Sequence, residues 1–148
     1  MKTLAQTIAA HAQAQPEAAA FLCGDERLSW REYHERSDAL AGALLAQGLA
    51  RGDRVAVLLP DGPGVHVAFV GAEKAGCVIV GIGPRAGRDE LRQLLRKTRA
   101  RALLACAGSR ELDLEGVVAE LSRAGQDLVW LACDGNFGAG ARLFARVP

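Results

Sequence analysis

Short apolar runs alternate with amphipathic segments through the last two thirds of the chain. Four aliphatic runs begin near residues 54, 77, 102 and 127, and segments with helical periodicity lie between them. The runs are continuously apolar, which is typical of strands that are covered on both faces. This alternation predicts an α/β fold, with a mostly parallel sheet and a helix after each strand.

The first third of the chain follows a different pattern. Residues 3–15 carry apolar positions on one helical face and predict a first helix. Two short runs around the turn at Gly24 predict a small hairpin. A second helix is expected to begin after Ser29, which forms a capping-box pattern with Glu32, and to end at Gly48.

These patterns divide the chain into two parts. We predict one α/β subdomain over residues 1–134, in which residues 1–52 form a helix, a hairpin and a helix, and residues 53–134 form alternating strand–helix units. Residues 135–148 are rich in glycine and lose the alternation. We expect them to be a terminal tail or a connector to a further element.

Composition narrows the class of protein. The 148 residues are 50% hydrophobic and 24% charged, which is ordinary for a globular domain. A formal net charge of +1 and an aromatic content of 5% give no reason to expect a nucleic-acid partner. No apolar run approaches the ~20 residues that span a bilayer, so we expect no transmembrane segment and a cytoplasmic location. The four cysteines form no C-x-x-C pair and are expected to be reduced thiols.

Candidate ligand-contacting positions follow from the predicted sheet. Open α/β sheets bind ligands outside the carboxyl ends of their strands. Gly62 follows the strand predicted near residue 54, and Gly83 and Arg85 follow the next one. We expect these three residues to face a cleft. No motif in the sequence predicts a catalytic, cofactor-binding or metal-ligating residue.

A dinucleotide-binding domain is the weakest alternative. Gly81, Gly83 and Ala86 fit the fingerprint G-x-G-x-x-G/A. Pro84 removes a backbone N–H from a loop that would have to donate such groups to a pyrophosphate. A tight strand-to-helix turn is therefore the favoured interpretation.

Arginines form one charge cluster. Arg88, Arg92 and Arg96 are four residues apart and make a ridge on one face of a predicted helix. Such a ridge could bind a phosphate-rich ligand or an acidic partner. We favour a solvated helix face as the interpretation.

Three segments stand out by their order and spacing: residues 28–33 (LSWREY), 52–60 (GDRVAVLLP) and 68–76 (AFVGAEKAG). They resemble the L-[ST]-[YW]-x-E-[LY], G-D-R-V-A and A-x-x-G-x-x-K-A-G segments of adenylate-forming enzymes, the family of acyl-CoA synthetases and related ligases. The resemblance extends over residues 3–106. At residues 81–85, this chain has GIGPR where the family usually has Pro-[LI]-[ND]-Pro-x.

The resemblance implies the N-terminal subdomain of an enzyme that activates a small carboxylic acid with ATP and Mg²⁺ and then transfers the acyl group to the thiol of CoA. The family's phosphate loop and its nucleotide-binding motifs come later in the sequence than the matched segments. The resemblance therefore implies that the remaining subdomains of the parent enzyme are partners and that the isolated chain is inactive. The alternative is a stand-alone, non-catalytic binding or assembly domain of the same fold.

Overall fold

The computed structural model describes residues 1–107, 111–138 and 143–147 as an α/β fold. In chain order the elements are α1 (Leu4–Ala14), β1 (Ala19–Cys23), β2 (Glu26–Ser29), α2 (Trp30–Ala46), β3 (Arg54–Leu58), α3 (Pro63–Lys74), β4 (Val78–Gly81), α4 (Arg88–Thr98), β5 (Ala102–Cys106), α5 (Leu114–Arg123), β6 (Val129–Cys133) and β7 (Ala145–Val147). In this part of the chain, no helix reaches the length and hydropathy of a membrane span.

The main sheet is mostly parallel, as the sequence predicts. Its strand order is β4-β3-β5-β6-β7, and the first four strands run parallel to one another. β7 pairs antiparallel with β6 at one edge. β1 and β2 form a separate antiparallel hairpin, which confirms the hairpin predicted around Gly24.

Two hydrophobic cores lie on opposite faces of the sheet. Val55 and Val57 of β3 belong to the first core, together with buried residues of α1, α2 and α3. Ala56 and Leu58 belong to the second core, which α4 and α5 cover. Alternate residues of one strand are thus buried on both faces, which explains why the run in the sequence is continuously apolar.

Local signals fix the starts of the first two helices. Thr3 caps α1 in a complete capping box with Gln6. Ser29 Oγ accepts a hydrogen bond from the N–H of Glu32 at 3.1 Å, as predicted. The Glu32 carboxylate pairs with Arg36 at 3.4 Å.

Lys74 joins α3 to α2 by hydrogen bonds. Its side chain is only 11% exposed, and Nζ donates to Ser37 Oγ at 2.8 Å and to Asp38 Oδ1 at 2.6 Å. Nζ also lies 3.2 Å from both the carbonyl oxygen and Nδ1 of His34. A buried ammonium group needs such partners, because an unpaired one would carry a large desolvation penalty. Lys74 therefore fixes how the two helices sit against each other.

Close packing of the same two helices depends on Gly71. A methyl group placed on Gly71 would lie 2.8 Å from Cδ2 of Leu40, a fully buried side chain of α2. That separation is far below ordinary carbon–carbon contact. The absence of a side chain at Gly71 is what lets α2 approach α3.

Part of the segment predicted as a glycine-rich tail or connector belongs to the fold. Asp134 Oδ1 accepts hydrogen bonds from the N–H groups of Asn136 and Phe137, at 2.8 and 3.2 Å. This turn places the Phe137 ring in the first core, where it is 1% exposed. β7 (Ala145–Val147) then returns to the sheet. Residues 139–142 and 148 lie outside the described residues, and a connector role for them stays a prediction.

Candidate functional site

The sheet changes direction at β3. From β3 the chain moves to β4 on one side and then crosses to β5 on the other side. α3, which follows β3, packs into the first core, whereas α5, which follows β5, packs into the second. The loops after β3 and β5 therefore diverge and leave a crevice at the carboxyl ends of these strands, the position where open α/β sheets bind ligands.

An open cavity of about 300 Å³ occupies this crevice. Its lining consists of Leu58, Leu59, Pro60, Pro84, Ala105, Cys106, Ala107, Leu112 and Leu114. No side chain in this lining carries a charge. The cavity is suited to an apolar group and, as far as the described residues define it, has nothing to hold a phosphate or a divalent metal.

The three predicted cleft residues lie beside this crevice and outside its lining. Gly62 is the N-cap of α3, with a φ of 150° that a side chain would strain. Gly83 and Arg85 are exposed on the loop after β4. Their neighbours Pro60 and Pro84 line the cavity instead. Whether Gly62, Gly83 and Arg85 face a cleft in a larger assembly stays a prediction.

No sequence motif identifies the apolar residues that line the crevice. Leu58 is the last residue of β3, and Ala105 and Cys106 are the last two of β5. A signal was present, since each apolar run ends at the predicted ligand-binding edge. Only the strand order shows that these two runs are neighbours.

The loop after β4 is the tight turn favoured from the sequence. The N–H of Ala86 donates to the carbonyl oxygen of Gly83 at 3.0 Å, and α4 begins at Arg88. This N–H is therefore used within the turn and is unavailable to a pyrophosphate. The geometry counts against the dinucleotide-binding alternative.

Two cysteines end the adjacent strands beside the crevice. Cys106 and Cys133 are partners in the register of β5 and β6. Burial raises the pKa of both thiols, and that of Cys133 reaches about 12. Both are therefore neutral thiols near physiological pH, which makes them poor nucleophiles.

The difference in burial between Cys23 and Cys133 predicts an order of alkylation. At about pH 8, iodoacetamide is expected to modify the exposed Cys23 first and to leave Cys133 almost unmodified. Peptide mass spectrometry over a time course measures the order. The same reaction in denaturant is the control and should modify all four cysteines. Equal rates at Cys23 and Cys133 in the folded protein would contradict the burial of Cys133.

Stability should also fall at high pH. In the unfolded chain the Cys133 thiol ionises near its ordinary pKa of 9.0, whereas in the folded chain the pKa is about 12. The unfolded state therefore releases this proton first as pH rises. The contribution of Cys133 to stability is complete below about pH 9 and is lost as pH rises towards 12.

The arginine ridge on α4 is only partly solvated. Arg92 Nη1 lies 3.2 Å from Glu120 Oε1 of α5. Arg88 lies 3.8 Å from Asp113 and 3.9 Å from Glu120. These ion pairs connect α4 to α5, and the Arg88 and Arg92 side chains are still 38% and 41% exposed. Arg96 has no ion-pair partner among the described residues.

Fold and crevice together define an α/β subdomain with an apolar crevice at the switch point of its sheet. The sequence pattern of the AMP-binding enzyme family matches residues 8–136. The chain belongs to this family. The match covers all the strands of the main sheet except β7, and it ends one residue before the buried Phe137 of the first core.

Sequence relatives include ligases and a nonribosomal peptide synthetase. The chain is 36% identical, over 103 residues, to the fatty acid–[acyl-carrier-protein] ligase ScoC of Streptomyces coeruleorubidus. That alignment covers 70% of this chain and 20% of ScoC. It is 32% identical, over 98 residues, to a medium/long-chain-fatty-acid–CoA/3-oxocholest-4-en-26-oate–CoA ligase of Mycobacterium marinum, covering 66% of this chain and 18% of that protein. The chain thus spans about a fifth of the length of these relatives.

A solved structure shows the same fold. The N-terminal domain of FACL13 from Mycobacterium tuberculosis superimposes with a TM-score of 0.75 at 24% sequence identity. The superposition covers 95% of this chain and 36% of that domain. The fold expected from the resemblance is therefore confirmed.

Proposed function

We propose that this chain is the N-terminal part of an ATP-dependent acyl-CoA synthetase. In the parent reaction, a carboxylate oxygen attacks the α-phosphorus of ATP and releases pyrophosphate. The thiol sulfur of CoA then attacks the acyl carbon, and AMP leaves. Membership of the AMP-binding enzyme family and the names of its fatty-acid ligase relatives support this proposal.

The apolar crevice is the observation that supports the role assigned to this chain, which is to bind the carboxylic acid. Its lining suits the hydrocarbon part of a carboxylic acid, because burial of apolar surface is the main attraction that such a wall offers. The lining offers no carboxylate for Mg²⁺ and no cation for a triphosphate in the part of the chain that the structure describes. We therefore assign ATP, Mg²⁺ and CoA to the remaining subdomains of the parent enzyme.

An ATP–pyrophosphate exchange assay tests whether ATP is bound and activated outside this chain. The purified 148-residue chain is expected to catalyse no acid-dependent exchange, because its sequence has no lysine-bearing phosphate loop. The full-length protein that contains this sequence is expected to incorporate labelled pyrophosphate into ATP in the presence of an apolar carboxylic acid. Circular dichroism of the isolated chain should verify that it is folded.

Two results would contradict the proposal. Exchange by the isolated chain would show that it holds catalytic groups that its sequence does not reveal. A full-length protein without exchange over a panel of aliphatic and aromatic acids would favour the stand-alone binding or assembly domain. Transfer to a carrier protein in place of CoA would leave the adenylation step intact and revise only the acceptor.

A further inference from the structure

A second concave site lies at the opposite end of the sheet from the crevice. This amino-edge groove has a volume of about 520 Å³. Its lining comprises Arg96, Arg99, Arg101, Leu121, Ala124, Gly125, Gln126 and Asp127. The groove lies between the ends of α4 and α5 and the start of β5. The proposed acyl transfer makes no use of it.

Positive charge exceeds negative charge in the amino-edge groove. Arg101 donates to Asp53 at 2.9 Å and to Asp127 at 2.8 Å, so one guanidinium group offsets one of the two carboxylate charges and holds both carboxylates. With Arg96 and Arg99 included, three arginines face two carboxylates and leave one positive charge in excess. Arg96 and Arg99 are exposed and form no ion pair with any residue that the structure describes. Two guanidinium groups are therefore free to bind an anion.

Backbone dipoles that would repel an anion are satisfied inside the groove. The last carbonyl groups of a helix carry partial negative charge. The side-chain amide of Gln126 donates to the carbonyl oxygens of Leu95, at 3.0 Å, and Ala100, at 2.9 Å. These two acceptors, in the last turn of α4 and just after it, are thus satisfied by Gln126.

More cations surround the groove. Arg54 Nη1 donates to the carbonyl oxygen of Thr98 at 3.1 Å, which holds this guanidinium group at the end of α4. Lys97 and Arg123 are exposed in the last turns of α4 and α5. The amino edge is therefore strongly basic, although the whole chain has a formal net charge of only +1.

We propose that the amino-edge groove binds a small free ligand that bears two linked phosphate groups. Guanidinium groups bind phosphate oxygens through paired, charge-assisted hydrogen bonds. The concave shape lets Arg96 and Arg99 contact one ligand together. The groove has no aromatic lining residue on which a nucleobase would stack, so recognition rests on the phosphates.

Titration with inorganic pyrophosphate tests this proposal. Isothermal titration calorimetry at low salt is expected to show binding that weakens as NaCl screens the charges. The double variant Arg96→Gln, Arg99→Gln should bind at least about tenfold more weakly, the loss expected when a charge-assisted hydrogen bond is removed. Both residues are exposed, so the unfolding midpoint of this variant should stay that of the original chain.

A matched control distinguishes binding in the amino-edge groove from a general effect of removing positive charge from the protein. The double variant Arg85→Gln, Arg146→Gln removes the same charge from two exposed positions outside the groove and should bind pyrophosphate within about twofold of the original chain. Equal weakening in both double variants would overturn the proposal, and so would an original chain that shows no binding. Arginine-dependent capture by phosphatidylglycerol vesicles, without pyrophosphate binding, would overturn it in favour of a membrane surface.

Discussion

Replacement of Phe137 by alanine is expected to lower the free energy of unfolding by about 3–5 kcal/mol, the cost of removing a large aromatic side chain from a packed core. Phe137 is 1% exposed, and its backbone has a φ of 56° that the hydrogen bonds to Asp134 support. Urea unfolding followed by circular dichroism measures the change.

The exposed Leu22 provides the control for Phe137. Its side chain is 73% exposed on the hairpin, so Leu22→Ala should change the stability by less than about 0.5 kcal/mol. A Phe137→Ala variant as stable as Leu22→Ala would mean that the glycine-rich segment does not pack on the core. The expected loss would instead place residues 134–138 within the cooperative unit of the subdomain.

Addition of one methyl group at Gly71 is expected to destabilise the protein by about 1–3 kcal/mol, because it overpacks the interface between α2 and α3. The new Cβ would lie 2.8 Å from Cδ2 of Leu40, so the helices must separate or Leu40 must leave its rotamer. Thermal and urea unfolding of Gly71→Ala both report the loss.

Gly42 is the matched control, since it lies in α2 and has open space around the position of an added Cβ. There the same substitution should stabilise the protein by about 0.5–1 kcal/mol, because alanine favours helix over glycine. The changes in the free energy of unfolding caused by Gly71→Ala and Gly42→Ala should thus have opposite signs. A Gly71→Ala variant that is also stabilised would show that the helices are farther apart than the structure has them.

Hydrophobic periodicity predicted most of the fold because local chemistry decides most of it. The strand predicted to begin near residue 102 is found as β5 (Ala102–Cys106), and the helix predicted to carry Arg88, Arg92 and Arg96 is found as α4 (Arg88–Thr98). β7 could not be predicted in this way. Its three residues are too few to show a period, and their partner strand is set by the tertiary fold.

The candidate site was less predictable than the fold for a related reason. Glycines mark where a strand ends, so Gly62 and Gly83 indicate where the carboxyl edge of the sheet lies. The lining of the crevice depends on β3 and β5 being neighbours, which is a property of strand order. Similarly, the pairing of Arg92 with Glu120 depends on two helices that are distant in sequence.

One family-like segment contacts the helix that follows another. Leu28–Tyr33 leads into α2, and Ala68–Gly76 covers most of α3, where Lys74 reaches back to Asp38. A homologue that loses the lysine is expected to change the aspartate as well, so the two positions should co-vary across the family although β3 separates them in the chain.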